Sequence, residues 1–176
     1  MIQSAKVTRN KISTPTSMLL RRKLIKGSVL HHGSGTATYD TEAMKEVADS
    51  VVEYDPNFTN NPEALDKQYD IVVSNYVLNC LLPEERKKVI TDISNAIKPS
   101  GKAFITVRSK GLDRNRIKAY IADGIKTTIN TFQKSYIPQT LIDDLKQDFT
   151  NIKIIKGKGL GIGIKFITAE VSNKEE

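Results

Sequence analysis

The sequence predicts a three-layer α/β sandwich whose central sheet is mostly parallel and ends in an antiparallel C-terminal strand. Short apolar runs alternate with helical patterns between residues 28 and 108. Residues 71–73 are continuously apolar, which is typical of a parallel strand that is covered on both faces. Two apolar stretches, 151–157 and 160–171, are joined through the segment KGKG. So short a connection favours an antiparallel pair.

The first helix and the first strand are predicted from a capping signal and an apolar run. Residues 13–25 predict a short helix with its N-cap at Ser13 or Thr14 and with Pro15 in its first turn. Residues 28–32 form a short apolar run before glycines, as expected for a buried strand.

A second helix and strand follow. Residues 39–50 predict a helix that is capped by Asp40 or Thr41. Residues 51–55 predict the second strand, and a polar loop with room for one helical turn comes after it. The inner face of the predicted helix consists of Met44, Val47 and Ala48.

The middle of the chain predicts a long amphipathic helix between two strands. Residues 82–101 contain this helix, with Pro83 in its first turn, while Pro99 and Gly101 are expected to end it. Residues 102–108 then predict a buried strand. Since ligands of such sheets bind beyond the carboxyl ends of the parallel strands, the site is expected there.

The last third predicts two more helices before the antiparallel pair. Residues 112–124 are interpreted as helical, and residues 127–139 as irregular with β-forming side chains. Residues 139–149 predict an amphipathic helix. Its inward side chains are Leu141, Ile142, Leu145 and Phe149.

Charge divides the chain unevenly. The 176 residues fit one domain and carry a formal net charge of +7. All of the excess lies in a basic N-terminal arm and helix (1–27), followed by a main domain (28–170) and a flexible tail (171–176). The arm either meets the phosphates of a nucleic acid or is a solvated segment. Its basic residues are Lys6, Arg9, Lys11, Arg21, Arg22, Lys23 and Lys26.

The composition predicts a soluble, cytoplasmic protein. The single cysteine, Cys80, cannot form an internal disulfide and is interpreted as a small buried residue. The N-terminus lacks the apolar core of a signal peptide, and no run reaches the ~18 apolar residues of a membrane span. No metal site is predicted, because the adjacent His31 and His32 of a strand point to opposite faces of the sheet.

The stretch VLHHGSGTAT, residues 29–38, predicts a nucleotide-binding turn. Gly33 and Gly35 directly follow the first strand, and glycine lets the backbone approach a ligand closely. Asp55 lies 20 residues after Gly35, at the end of the second strand. A carboxylate in that place accepts hydrogen bonds from ribose hydroxyls. The alternatives are a purely structural turn at the glycines and a turn or cap role for Asp55.

Four segments together resemble the class I S-adenosylmethionine-dependent methyltransferases. These are VLHHGSG, VVEYDPNF, YDIVVSNYVLN and AIKPSGKAFITVR, in this order within residues 28–108. A narrower set is similar to small bacterial and phage methyltransferases, including those that accompany DNA phosphorothioation genes. It consists of KISTPTSMLLRRKLIKGSVL, YDPNF, VLN and TFQKSYIPQTL. The resemblance implies a Rossmann-like fold with S-adenosylmethionine as cofactor.

The resemblance also implies roles for single residues. It places Gly33, Ser34 and Gly35 around the methionine moiety and Asp55 on the ribose. Three residues at the exit of the third parallel strand would face the sulfonium and the methyl acceptor: Asn75, Tyr76 and Val77. Further candidates are Phe58 against the adenine, Arg108 on an anionic group of the acceptor, and Gln133 in the cleft, where a plain loop role is the alternative.

Two residues depart from the family pattern. His31 stands where the family usually has an acid that helps hold the amino end of the cofactor, and Ala37 replaces the last loop glycine. Three hypotheses follow. The first is an active methyltransferase with a weakened or retuned cofactor site, which acts on nucleic acid or a nucleic-acid-associated substrate. The second is a methyltransferase-like binding module with lost or weakened catalysis. The third is a protein that cleaves or sequesters S-adenosylmethionine.

Overall fold

A computed structural model describes residues 1–5, 9–36, 38–109, 114–158 and 165–173. Within these ranges the chain forms a six-stranded sheet, a separate three-stranded sheet and four α-helices. The helices are α1 (Thr14–Arg21), α2 (Tyr39–Lys45), α3 (Pro83–Asn95) and α4 (Pro138–Leu145). The strands are β1 (Ser28–His32), β2 (Ser50–Tyr54), β3 (Tyr69–Asn75), β4 (Ile97–Arg108), β5 (Ile117–Ile121), β6 (Gly124–Thr127), β7 (Phe132–Gln133), β8 (Asn151–Lys158) and β9 (Lys165–Ser172).

The large sheet has the predicted mixed topology. Its strand order is β2-β1-β3-β4-β9-β8, in which the first four strands are parallel and β9 pairs antiparallel with both β4 and β8. The carboxyl ends of β1, β2 and β3 therefore meet at one edge. This confirms the predicted α/β class and brings together the loops that follow these strands.

Helices cover the sheet on both faces, which completes the three layers. Along β1, Leu30 packs in a core with Ile90 and Ile93 of α3, whereas the preceding Val29 packs with α1 and α2. Successive side chains of a strand point to opposite faces, so one short strand contributes to two cores. On the second face, the core residues of α1 and α2 are Met18, Leu19 and Met44.

The four described helices all end earlier than predicted. Helix α2 ends at Lys45 and is preceded by Thr38, so the predicted caps Asp40 and Thr41 lie inside the helix. The predicted inner residue Val47 is 55% exposed. Helix α3 ends at Asn95, before the proline that was expected to stop it, because Ile97 already pairs with Tyr69 as the first residue of β4.

The prediction of a helix over residues 112–124 is wrong. The described part, from residue 114, forms a short 3₁₀ turn followed by β5 and the start of β6. Along β5, the exposed Lys118 and Tyr120 alternate with less exposed neighbours, which is the period of a strand. The connection to β6 passes through Ala122, whose φ of 46° makes a tight turn before Gly124.

A cluster of charged side chains joins the three-stranded sheet to α3 and α4. Arg86 of α3 lies 2.7 Å from Asp123 and 3.5 Å from Asp144, and its Nη1 donates to the Tyr136 hydroxyl at 3.1 Å. Lys134 contacts the same two carboxylates at 2.8 Å and 3.3 Å. The small sheet is therefore anchored by ion pairs beside its apolar contacts.

Gln3, near the N-terminus, lies beside the residues that lead into β7 of the small sheet. Gln3 forms an isolated bridge with Thr131, and its backbone N–H donates to Asn130 at 2.8 Å. Among the described residues, no helix is long and apolar enough to cross a membrane.

Candidate functional site

A cavity of about 430 Å³ lies at the carboxyl ends of β1, β2 and β3. It is bordered by the loop after β1, the residues that follow β2 and β3, one face of α3 and the N-terminal segment. Most of the residues that the sequence singled out line this cavity. They are His31, Gly33, Ser34, Gly35, Asp55, Phe58, Asn75, Tyr76, Val77 and Cys80.

Three candidates are placed differently. Arg108 and Gln133 do not belong to the described lining of the cavity. The backbone N–H of Arg108 donates to Oδ1 of Asn79 at 3.2 Å, and the Gln133 amide lies 3.4 Å from the sulfur of Cys80. Ala37 lies outside the described residues.

The loop after β1 is shaped by a close contact with the loop after β3. Gly33 has a φ of +70°, and its N–H donates to the carbonyl of Tyr54 at 2.7 Å. A Cβ atom at Gly33 would overlap Cγ2 of Val77. Glycine is therefore required here both for the backbone angle and for space.

Asp55 connects this loop to the end of β2. Its two carboxylate oxygens accept hydrogen bonds from the N–H groups of Gly35 and Asn57, each at 2.9 Å. Asp55 is buried but lines the cavity. Because each carboxylate oxygen has two lone pairs, both retain capacity for a further donor such as a ribose hydroxyl.

His31 belongs to a chain of hydrogen bonds that runs away from the cavity. Its Nδ1 lies 2.8 Å from the hydroxyl of Thr41, which in turn donates to Glu53 at 2.5 Å. Burial lowers the pKa of His31 below its usual 6.5, although nearby Asp40 and Glu53 act in the opposite direction. His31 is therefore neutral at neutral pH, and the repulsion that a protonated ring would exert on an ammonium group does not arise.

Asp40 is the most heavily bonded acid of the cavity wall, and sequence reasoning missed it as a site residue. Its carboxylate accepts hydrogen bonds from the backbone and hydroxyl of Ser13, each at 2.6 Å, and from Thr16 at 2.9 Å. Arg9 lies 3.6 Å away. Asp40 thus ties the start of α1 to α2 and adds a buried negative charge to the cavity. The signal was an acid seven residues after Gly33, but it resembled an ordinary helix cap.

Two of the predicted catalytic residues, Asn75 at the end of β3 and Tyr76 directly after it, are held by different means. Asn75 donates to Thr16 at 2.9 Å, and its Oδ1 is buried without a partner among the described residues. Tyr76 has a φ of +62°, which is strained for a tyrosine, and its N–H donates to Thr106 at 2.8 Å. The guanidinium of Arg9 lies 5.3 Å from the centroid of the Tyr76 ring. The Tyr76 ring and the Arg9 guanidinium therefore lie together in one part of the cavity lining.

His32 is buried against β2 and α3 without hydrogen bonds. It is 2% exposed, neither ring nitrogen has a partner among the described residues, and its ring lies 5.2 Å from that of Tyr54. Burial lowers the pKa of His32 from 6.5 to about 4. A neutral imidazole is therefore maintained in the folded protein, and protonation favours the unfolded chain.

This shift predicts a loss of stability in mild acid that depends on His32. As the pH falls from 6.5 towards 4, the unfolded chain binds a proton at this ring and the folded chain does not. The free energy of unfolding should thereby fall by about 3 kcal/mol. In His32→Leu this part of the decline should be absent, as measured by urea unfolding at several pH values. Parallel curves for the wild type and the variant would contradict the assignment.

Comparison with known proteins places the fold. No family model matches the sequence, and no curated protein matches it significantly. A complex of DhpI with SAH has a TM-score of 0.64 and 18% identity, covering 92% of this chain and 84% of that chain. The 1,6-didemethyltoxoflavin-N1-methyltransferase of Burkholderia thailandensis has a TM-score of 0.71 and 17% identity over 92% and 77%. The glycopeptide N-methyltransferase MtfA has a TM-score of 0.61 and 13% identity over 93% and 97%.

These similarities extend over nearly the whole chain, although the sequences have diverged widely. The second of these structures contains 1,6-didemethyltoxoflavin and S-adenosylhomocysteine. In this chain, the mostly parallel sheet, the two helical layers and the antiparallel C-terminal strand agree with the fold of these methyltransferases. The chain has the Rossmann-like fold of S-adenosylmethionine-dependent methyltransferases.

Proposed function

We propose that the protein is an S-adenosylmethionine-dependent methyltransferase. The observation that carries this proposal is the junction of Gly33, Gly35 and Asp55. The two glycines follow the first parallel strand, and the carboxylate that bonds to their loop directly follows the second strand. This arrangement offers backbone close approach and carboxylate acceptors at one edge of the sheet, as a nucleoside requires.

The residues around this junction have distinct proposed roles. Gly33, Ser34 and Gly35 accommodate the methionine part of the cofactor, and Asp55 accepts hydrogen bonds from its ribose. Phe58, which is half-exposed at the cavity, packs on the adenine. Asn75 and Val77 border the place of the sulfonium.

Methyl transfer requires alignment more than acid–base chemistry. S-adenosylmethionine, when bound, would supply a methyl group on a sulfonium, from which a neutral thioether leaves readily as the methyl–sulfur bond breaks. The protein chiefly holds the acceptor in line with the bond that breaks, which is a proximity effect. Tyr76 and Arg9, stacked at the β3 exit, are placed to orient that acceptor.

Two cations of the N-terminal segment, Arg9 and Lys11, line the cavity and support an acceptor with an anionic group. A nucleic acid meets this requirement, so the predicted nucleic-acid substrate is retained as a proposal. The narrower likeness to phosphorothioation-associated methyltransferases stays a prediction, as does the cytoplasmic location. The predicted role of Arg108, which is to bind an anionic group of the acceptor, is also retained as a proposal. Its charge acts on Tyr76 and Cys80, two residues of the cavity lining.

Calorimetry with S-adenosylmethionine tests the proposal directly. Binding in the micromolar range is expected, followed by methyl transfer to a suitable acceptor. No heat at concentrations well above that range would overturn it and leave a binding module without cofactor. Formation of cleavage products without any acceptor would instead identify a protein that breaks the cofactor down.

Asp55→Asn should weaken the affinity for S-adenosylhomocysteine about tenfold, because the amide retains only one acceptor atom for two backbone donors and the ribose. Titration calorimetry measures the change. Asp66→Asn is the matched control, since Asp66 is exposed and lies away from the cavity lining. Equal affinity in wild type and Asp55→Asn would show that Asp55 serves only the turn.

A further inference from the structure

The hydrogen bonds of His31 define which of its ring nitrogens carries the proton. Thr41 has one hydroxyl hydrogen, and its donation to Glu53 uses that hydrogen. The Thr41 oxygen can then only accept from His31 Nδ1, which lies 2.8 Å away. In the neutral ring, a proton on Nδ1 leaves Nε2 as an acceptor.

Nε2 is the nitrogen of His31 that remains for a ligand. The ring lines the cavity, and no described residue is hydrogen-bonded to this atom. Both ring nitrogens of His32 are buried without a partner, but Nε2 of His31 is not one of these buried atoms. His31 therefore presents one accessible acceptor, whereas the nitrogens of His32 are sealed in the protein.

The charges around His31 favour a cationic donor at that acceptor. Asp40 of α2, Glu53 of β2 and Asp55 after β2 are acids that act on the ring, and Arg9 is the opposing cation. Asp40 has the largest influence of these four groups. Of the polar groups at the methionine end of S-adenosylmethionine, only the ammonium can donate a hydrogen bond, and it is also positively charged.

We propose that Thr41 and Glu53 are positioning residues that hold His31 in its Nδ1–H tautomer, so that Nε2 accepts a hydrogen bond from the ammonium group of the bound cofactor. The inference rests on the proposed function and adds two residues to it. It also explains how a histidine can replace an acid: the negative charge lies one strand away on Glu53, directly opposite His31 in the register of β1 and β2.

Nitrogen-15 NMR of the histidine ring tests the tautomer. The chain has only two histidines, so His32→Leu leaves His31 as a single signal. We expect a protonated Nδ1 and an unprotonated Nε2, with the Nε2 resonance shifting when S-adenosylhomocysteine is added. Thr41→Val should convert the ring towards the Nε2–H tautomer, and Thr41→Ser should not, because serine retains the hydroxyl.

Affinity measurements test whether the tautomer matters for the ammonium. Thr41→Val should weaken the affinity for S-adenosylhomocysteine about tenfold. The affinity for 5′-methylthioadenosine should not change, since that nucleoside lacks the amino-acid end. Thr41→Ser should bind both ligands like wild type, and thermal unfolding of each variant verifies that the fold is retained.

The outcomes separate this inference from the function on which it rests. An Nε2–H tautomer in the wild type would overturn the inference, and so would an equal loss of affinity for both ligands in Thr41→Val. In either case wild-type binding of S-adenosylhomocysteine would leave the proposed function standing. A wild-type protein that binds neither ligand would overturn both.

Discussion

Arg86→Ala is expected to lower the free energy of unfolding by about 3 kcal/mol. Arg86 is 3% exposed, and its guanidinium contacts Asp123, Asp144 and Tyr136. Removing it leaves a gap in the core and deprives two carboxylates of one of their cations. Lys134 still contacts both carboxylates, which keeps the loss from being larger.

Urea unfolding at neutral pH measures this loss, with Lys87→Ala as the matched control on the same helix. Lys87 is exposed, so its removal should change stability by less than about 0.5 kcal/mol. Hydrogen exchange adds a local readout, because Asp123 lies in the turn between β5 and β6. Protection of β6 should fall more than that of β1. A loss equal to the control's would show that the cluster does not anchor the small sheet.

The parallel core of the fold was predictable because its signals are local. Strand β1 was predicted with its observed bounds, since an apolar run that ends at a glycine pair has few alternatives. Gly35 and Asp55 were both predicted to belong to one nucleotide site, and a 2.9 Å hydrogen bond joins them in the structure. Two parallel neighbouring strands must bring their carboxyl ends together, so the position of this junction follows from topology. The ligand roles of both residues stay predictions.

The features that sequence reasoning missed depend on distant partners. Asp40 was interpreted as a cap of its own helix, but its hydrogen bonds come from Ser13 and Thr16, which are 27 and 24 residues away. Residues 117–121 contain the helix formers Lys118 and Ala119 among strand-forming side chains, and pairing with β6 stabilises them as a strand. In both places contacts between distant residues decide what the local sequence leaves open. The proposed role of Thr41 likewise depends on distant partners, because its hydrogen bonds join His31 of β1 to Glu53 of β2 through α2.

Gly33→Ala is expected to cause a large loss of affinity for S-adenosylhomocysteine. Comparing it with Gly35→Ala separates backbone strain from steric overlap. Gly33 and Gly35 have nearly equal φ values of +70° and +67°. A Cβ at Gly33 overlaps Val77, whereas one at Gly35 meets no atom within 4 Å. The left-handed backbone alone costs about 1–2 kcal/mol for alanine. Gly35→Ala should thus weaken S-adenosylhomocysteine binding by about tenfold or less, and Gly33→Ala by about a hundredfold.

The double variant Gly33→Ala/Val77→Ala tests the steric part of this difference. Removing the Val77 methyl groups opens the space that the new Cβ needs, so the double variant should recover affinity to about the level of Gly35→Ala. Val77→Ala alone measures what the valine contributes to the binding free energy. In a double-mutant cycle, the changes of both single variants are subtracted from that of the double variant. Additive losses would mean that the two residues do not meet and that the loop is held by its backbone bonds to Tyr54 instead. A coupling opposite in sign to the single losses is the expected result, and it would show that overlap with Val77 accounts for the larger loss in Gly33→Ala.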